Sequence, residues 1–159
     1  MRKHFSILAF LAAVAIAGDL PDRKLTPGVA ENVSIDTICA KGYAKSVRHV
    51  PGPVKEKVYR EYGILSHGPA EYEIDHLISL ELGGSNDIAN LWPQSYEGTW
   101  NAHVKDQLED RLHAMVCSGQ IGLKEAQKAI AEDWIGKYKE IFNTNEPVAF
   151  RETSRRRRR

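Results

Sequence analysis

The sequence predicts a single α+β domain built around a β-hairpin that is followed by a helix. Residues 72–82 alternate between apolar and polar side chains, which predicts a strand, and residues 90–94 supply a short return strand after a glycine-containing loop. Residues 99–116 then carry apolar side chains at helical spacing. The 159 residues, 42% hydrophobic and 27% charged, are typical of a globular protein of one domain.

The first seventeen residues have the organisation of a secretory signal peptide. A basic start at residues 2–4 precedes an apolar run at residues 5–16, and Ala15-Ile16-Ala17 fits a small-x-small cleavage site. A membrane anchor is the alternative, but the run is shorter than the roughly 20 residues that a spanning helix needs. We therefore expect a secreted or periplasmic protein whose mature form does not contact a membrane.

Export also predicts how the two cysteines are used. Cys39 and Cys117 are the only cysteines in the chain, and thiols oxidise outside the cytoplasm, so a disulfide between them is the simplest expectation. Two buried free thiols, or half of a metal site, are the alternatives. No CxxC pair is present to favour a metal site.

The charge is distributed unevenly along the chain. Without the signal peptide and the run Arg155 to Arg159, 15 basic residues face 21 acidic ones, so the folded body is mildly acidic. Such a body does not attract nucleic acid through its overall field. Residues 151–159 form a basic tail that we expect to be disordered, and both phosphate binding and simple solubilisation are consistent with it.

Between the signal peptide and the hairpin the patterns are shorter. Residues 18–33 lack periodicity and predict an extended N-terminal arm, and the domain proper is expected at residues 34–150. Residues 34–40 favour a short helix and residues 42–50 a strand. Pro53 suits the start of a helix that runs to Gly63.

The second half of the domain is more regular. Loop residues 83–87 separate the two hairpin strands, and Pro93 keeps the return strand short because proline cannot donate to a ladder. After the helix at residues 99–116, a short glycine-containing connection leads to another helix at residues 123–138. We expect these two helices to pack as antiparallel neighbours.

The most informative motif is Asp75-His76 on the first hairpin strand. A carboxylate beside an imidazole offers a metal ligand and a general base in adjacent positions. The surrounding sequence can be quoted in four segments: Tyr72-Glu73-Ile74-Asp75-His76-Leu77-Ile78, Leu80-Glu81-Leu82-Gly83-Gly84, Asn90-Leu91-Trp92-Pro93 and Lys105-Asp106-Gln107-Leu108-Glu109. With the signal peptide and Thr37-Ile38-Cys39, these segments resemble small exported bacterial proteins of the HNH endonuclease type. The resemblance implies a ββα-metal (His-Me finger) core at about residues 72–116.

The resemblance also implies roles for individual residues. His76 would be the general base for phosphodiester hydrolysis in DNA, with RNA as the other substrate, and Asp75 would hold one divalent metal ion. Asn90 would fix the hairpin and orient the imidazole. Neighbouring residues of an ideal strand face opposite sides, so we expect a twist or bulge that aims Asp75 and His76 at one point.

Two residues compete for the second metal position. Helical phase places Asn101 towards the hairpin and His103 towards solvent, which favours Asn101. Oxygen ligands favour magnesium or manganese, with calcium possible, whereas a histidine would admit zinc or nickel.

Lys105 and Arg111 are the candidates for nucleic-acid contact, although a solvated helix face is equally consistent. A non-catalytic exported binding protein on a degenerate HNH scaffold is the alternative function. We expect a monomer.

Overall fold

The computed structural model describes residues 19–149 and has mixed α+β architecture. The predicted signal peptide and the basic tail lie outside the described residues. The elements, in chain order, are α1 (Ile35–Ile38), α2 (Tyr43–Val47), α3 (Gly52–Glu61), β1 (Tyr72–His76), β2 (Leu91–Ser95), α4 (Ala102–Cys117) and α5 (Leu123–Phe142). Within residues 19–149, none of the helices is long and apolar enough to cross a membrane.

The predicted hairpin is present as a two-stranded antiparallel sheet. Its register runs without interruption from Tyr72 opposite Ser95 to His76 opposite Leu91. The first strand ends at His76 and does not continue to residue 82 as predicted, because Leu80–Leu82 form a 3₁₀ turn. The apolar residues of this alternating pattern are buried in a turn and do not pair with another strand.

Gly84 shows why the strand must stop. A Cβ atom at Gly84 would lie 1.8 Å from the carbonyl oxygen of Ile78, so only glycine allows the chain to fold back this closely. The Gly84 amide also donates to the carbonyl of Ser79 at 2.9 Å. The sharp return brings the loop before β2 against the end of β1.

The two long helices enclose the larger part of the core. In α4 the buried residues recur at helical spacing and contact the apolar face of α5, which includes Ile130 and Trp134. The buried positions of α4 are Ala102, Val104, Lys105, Leu108, Leu112 and Val116. The backbone of α5 leaves helical geometry at Asp133, so the helix is kinked there.

The strand predicted at residues 42–50 is wrong, because residues Tyr43–Val47 form α2. The segment contains good helix formers, Ala44 and Lys45, and Gly42 begins it in a left-handed conformation with φ of 84°. The end of α2 is held by a side chain from the hairpin loop: Asn86 donates to the carbonyl of Val47 at 2.8 Å. Tertiary contact therefore outweighs the weak strand pattern.

The predicted disulfide is present. Cys39 follows α1 and Cys117 ends α4, with 5.8 Å between their Cα atoms and 78 residues of sequence separation. The bond ties the N-terminal part of the domain to the helix beside the hairpin. A disulfide is compatible with an extracellular location.

The N-terminal arm is packed against the hairpin. Thr26 is buried, and its hydroxyl lies 2.7 Å from the Tyr62 hydroxyl and donates to the carbonyl of Leu91 at 2.8 Å. Ala30 forms an isolated bridge with Gly84. The arm thus supports the strand and the loop that carry the candidate site.

Candidate functional site

His76 lies at the end of β1 and is 2% exposed. Its Nε2 atom is 3.1 Å from Oδ1 of Asn86. Its Nδ1 atom is buried and has no hydrogen-bond partner among residues 19–149. One ring nitrogen is therefore anchored, and the other is left without a protein partner.

The Asn86 amide fixes the protonation of the imidazole. Its Nδ2 donates to the Val47 carbonyl at 2.8 Å, and its Oδ1 accepts from the backbone amide of His49 at 3.1 Å. These two contacts assign the amide orientation, so the atom facing His76 is an acceptor. Nε2 of His76 must then carry the proton, which leaves the lone pair on Nδ1.

The charge state of His76 suits a base. Burial lowers the pKa of His76 below 6.5. The hydrogen bond from the ring to Asn86 and the negative charge of Asp75 raise the pKa in part, and the positive charges of Arg48 and Lys105 lower it further. The imidazole is therefore neutral at pH 7. A neutral imidazole can accept a proton at Nδ1.

Asn90 holds the loop between the two strands. Its Oδ1 accepts from the amides of Ile78 at 2.9 Å and Val29 at 3.2 Å, and its Nδ2 donates to the carbonyls of Ile78 at 3.0 Å and Ser85 at 2.9 Å. All the hydrogen-bonding capacity of the buried amide is used on the backbone. Asn90 thus holds the hairpin loop, while the contact to the imidazole comes from Asn86.

Sequence reasoning missed Asn86. The only signal was its place in the loop that joins the strands, ten residues after His76. A loop asparagine is usually explained by turn formation, so the residue gave no reason to expect a contact to the ring.

Asp75 points to the other side of the hairpin from His76. The uninterrupted register contains no bulge in the described strands, and neighbouring side chains of such a strand lie on opposite faces. Oδ2 of Asp75 accepts from Nζ of Lys105 at 2.7 Å. The same ammonium donates to the His76 carbonyl at 2.9 Å and to Glu109.

Lys105, predicted as a nucleic-acid contact, is fully buried. Burial favours the neutral amine, but the carboxylates of Asp75 and Glu109 outweigh it and raise the pKa of Lys105. The side chain is a buried ammonium ion and does not reach the surface. Arg111 lies further along α4 and is exposed.

Asn101 precedes α4 and is not part of it. With φ of −95° and ψ of −179° it is the N-cap residue, and its Oδ1 accepts from the amide of Val104 at 3.2 Å. The predicted helix start at residue 99 was therefore wrong, and with it the helical-phase comparison between Asn101 and His103. His103 is exposed and stacks on Tyr96 with 5.1 Å between ring centroids.

The pair Asp75 and Asn101 does not fit a divalent ion in this arrangement. The charge of Asp75 is already neutralised by Lys105, and the oxygen of Asn101 is engaged in capping. The role of these two residues as metal ligands stays a prediction.

The Asp75 face of the hairpin is acidic. Glu73 accepts from the hydroxyl of Tyr96 at 2.7 Å, and it lies directly across the ladder from Gln94. Desolvation, together with repulsion from Glu73 and Asp75, raises the pKa of Asp106 from 3.8 to about 6. This face repels phosphate.

The His76 face, in contrast, borders a basic depression. The depression has a volume of about 340 Å³ and is lined by Arg48, His49, Val50, Lys55 and Ile74. Ile74 is two residues before His76 on the same face of β1. Arg48 and Lys55, both exposed, are therefore better placed to contact a phosphate near His76 than Lys105. They come from the end of α2 and from α3, so no sequence spacing linked them to His76.

A second cluster combines residues typical of zinc sites. Ligand atoms of Cys39, His113 and Cys117 all lie within 4.8 Å of one another. The two sulfurs are joined in the disulfide, and a disulfide sulfur is not a thiolate ligand. The cluster could bind a metal ion only in the reduced protein.

Comparison of the chain with protein-family models, with curated proteins and with solved structures found no significant match.

Proposed function

We propose that the protein is an exported nuclease that hydrolyses phosphodiester bonds, with His76 as its general base. The observation that carries the proposal is the neutral imidazole whose proton is fixed on Nε2 by Asn86, leaving the Nδ1 lone pair for a water molecule. A basic depression that contains Arg48 and Lys55 lies on the same side of the hairpin. A base beside a phosphate-binding surface is the minimum that this chemistry requires.

In the proposed reaction, Nδ1 of His76 takes a proton from water while the water oxygen forms a bond to phosphorus. The bond from phosphorus to the leaving oxygen breaks, and that oxygen takes up a proton from solvent. The products are a phosphomonoester end and a hydroxyl end. Arg48 and Lys55 would bind the non-bridging phosphate oxygens and stabilise the charge that develops on them.

The resemblance to HNH endonucleases implies a divalent ion as well. Because Asp75 and Asn101 do not fit such an ion in this arrangement, no step is assigned to it. Magnesium or manganese is the proposed ion, with calcium, zinc and nickel as the other candidates.

The proposed substrate is DNA, with RNA as the alternative. The acidic body and the local basic depression together predict binding through few phosphate contacts, and hence a salt dependence much shallower than that of a broadly basic nuclease. Arg111 and the basic tail remain candidates for additional contacts.

The test is cleavage by the oxidised protein without residues 1–17. Supercoiled plasmid and a labelled RNA are incubated with magnesium, manganese, calcium, zinc or nickel, or with EDTA, and products are resolved on gels. We expect cleavage by the unmodified protein and a loss of at least 100-fold in His76→Ala, in line with typical contributions of a general base. His67→Ala is the matched control, because His67 is exposed, stacks on Tyr59 and does not line the basic depression.

Cleavage at equal rates by the unmodified protein and His76→Ala would remove His76 from the mechanism. Absence of cleavage of both substrates with every ion and with EDTA would remove hydrolysis itself. Both variants are first checked for native secondary structure by circular dichroism, so that a folding failure is recognised.

A non-catalytic phosphate-binding protein is the second candidate. It is favoured by the burial of Nδ1, which a water molecule reaches only if neighbouring side chains move, and by the neutralisation of Asp75. For such a protein, Arg48→Ala and Lys55→Ala would weaken binding to labelled DNA, measured by fluorescence polarisation, while no product forms.

A further inference from the structure

The environment of the Lys105 ammonium resembles the coordination of a metal ion. Its three N–H groups are used by three oxygen acceptors: the carboxylate of Asp75, the backbone carbonyl of His76 and the carboxylate of Glu109. Carboxylate and carbonyl oxygens are also the ligands preferred by magnesium and calcium. We call the group of Asp75, Lys105 and Glu109 the hairpin–helix junction.

Charge and burial support the comparison. Lys105 is fully buried, and the Asp75 and Glu109 side chains are only 12% and 13% exposed. Two carboxylates this close, with little solvent to screen them, need a cation between them. The ammonium supplies it from within the chain, on a helix whose apolar residues anchor it in the core.

The geometry points to Lys105 as the resident cation of the hairpin–helix junction, in the place where a divalent ion would otherwise bind to Asp75 and Glu109. The junction of the unmodified protein then needs no metal ion. Removal of the ammonium leaves an all-oxygen site with two carboxylates, whose charge a divalent ion balances. This inference does not depend on whether the protein cleaves nucleic acid.

The first measurement uses the unmodified protein. Manganese binding is followed by the loss of the free-ion signal in electron paramagnetic resonance, with Asp75→Asn as the comparison. We expect the two proteins to bind manganese alike, because Asp75 is already paired. Micromolar binding that disappears in Asp75→Asn would show a metal at the junction and would overturn the inference.

The second measurement uses Lys105→Ala, which leaves space for an ion and its water molecules. We expect its melting temperature to be lower than that of the unmodified protein in EDTA and to rise by several degrees in millimolar manganese or calcium. The double variant Lys105→Ala with Glu109→Gln should lose this response, since one ligand charge is gone. A folded Lys105→Ala protein whose melting temperature does not change with manganese or calcium would refute the inference that Asp75 and Glu109 can bind a divalent ion in place of the ammonium.

If Lys105→Ala does not fold in any of these buffers, the manganese titration of the unmodified protein decides the inference. Both measurements report binding or melting, so neither outcome can be confused with a failure of the proposed hydrolysis.

Discussion

Replacement of Asn86 by aspartate tests whether Asn86 determines the tautomer and the pKa of the His76 imidazole. In the native protein the Asn86 oxygen lies 3.1 Å from Nε2 of His76, and burial lowers the pKa of His76 below 6.5. Asn86→Asp places a negative charge at that distance, and a neighbouring carboxylate typically raises such a pKa by about 1–3 units. The aspartate also loses the donor to the Val47 carbonyl, a cost of about 1 kcal/mol.

The sign of the pH dependence follows from these shifts. With its pKa lowered by folding, native His76 contributes no penalty above pH 6.5, and stability is lost as the pH falls from 6.5 towards the folded pKa. Once the aspartate raises the folded pKa of His76 above 6.5, His76 contributes stability that is complete below pH 6.5 and is lost as the pH rises through the new pKa. The native protein should therefore lose stability as the pH falls below 6.5, whereas Asn86→Asp should lose it as the pH rises above 6.5.

The assay is a two-dimensional NMR titration of the histidine ring nitrogens, which reports the tautomer and the pKa together. We expect an Nε2–H tautomer for His76 in the native protein, and a raised pKa in Asn86→Asp. Asn86→Ala is the control, since it removes the acceptor without adding charge. An Nδ1–H tautomer in the native protein, or an unchanged pKa in Asn86→Asp, would refute the role of Asn86.

Three further predictions concern stability and binding. Replacing Cys39 and Cys117 together by alanine should lower the free energy of unfolding by about 4.5 kcal/mol, a value that the chain-entropy model gives for the 78-residue separation. A change of less than about 1 kcal/mol in urea unfolding would contradict this. Asp106→Asn should stabilise the protein at pH 8 by about 1 kcal/mol after allowance for solvent screening, and by less at pH 4. The reason is that the pKa of Asp106 is raised by folding, so the native protein loses stability as the pH rises through about 6. An equal change in melting temperature at both pH values would argue against this. Lys55→Ala should weaken DNA binding and reduce its salt slope by about one unit, whereas an unchanged slope would place the phosphate elsewhere.

Secondary structure was predicted correctly where a long hydrophobic pattern in the sequence left few alternative folds. The hairpin pairing, helices α4 and α5 and the disulfide were all predictable, because two strand patterns flanking a glycine-containing loop, long apolar stripes and two cysteines in an exported chain leave few alternatives. Alternation failed at residues 77–82, where burial continues although the ladder stops. Spacing alone does not distinguish a strand from a buried turn.

The site was harder to predict, because its decisive contacts link distant segments. Lys105 is interpreted from the sequence as a surface cation, since lysine is rarely buried unless it is paired. Glu109 is its i,i+4 neighbour on α4, but its partner Asp75 on β1 becomes a neighbour only in the folded chain. Asn86 joins α2 to His76 in the same way. Long-range polar pairing has no periodic signature in the sequence.

The initial rate of DNA cleavage as a function of pH shows whether His76 is the base of a phosphodiester hydrolase. With the metal condition held fixed, we expect the rate to rise with pH to a plateau, with a midpoint below 6.5 that belongs to His76, and to be at least 100-fold lower at the plateau in His76→Ala. A His76→Ala protein that keeps the native rate and the native pH profile would show that His76 is not the base.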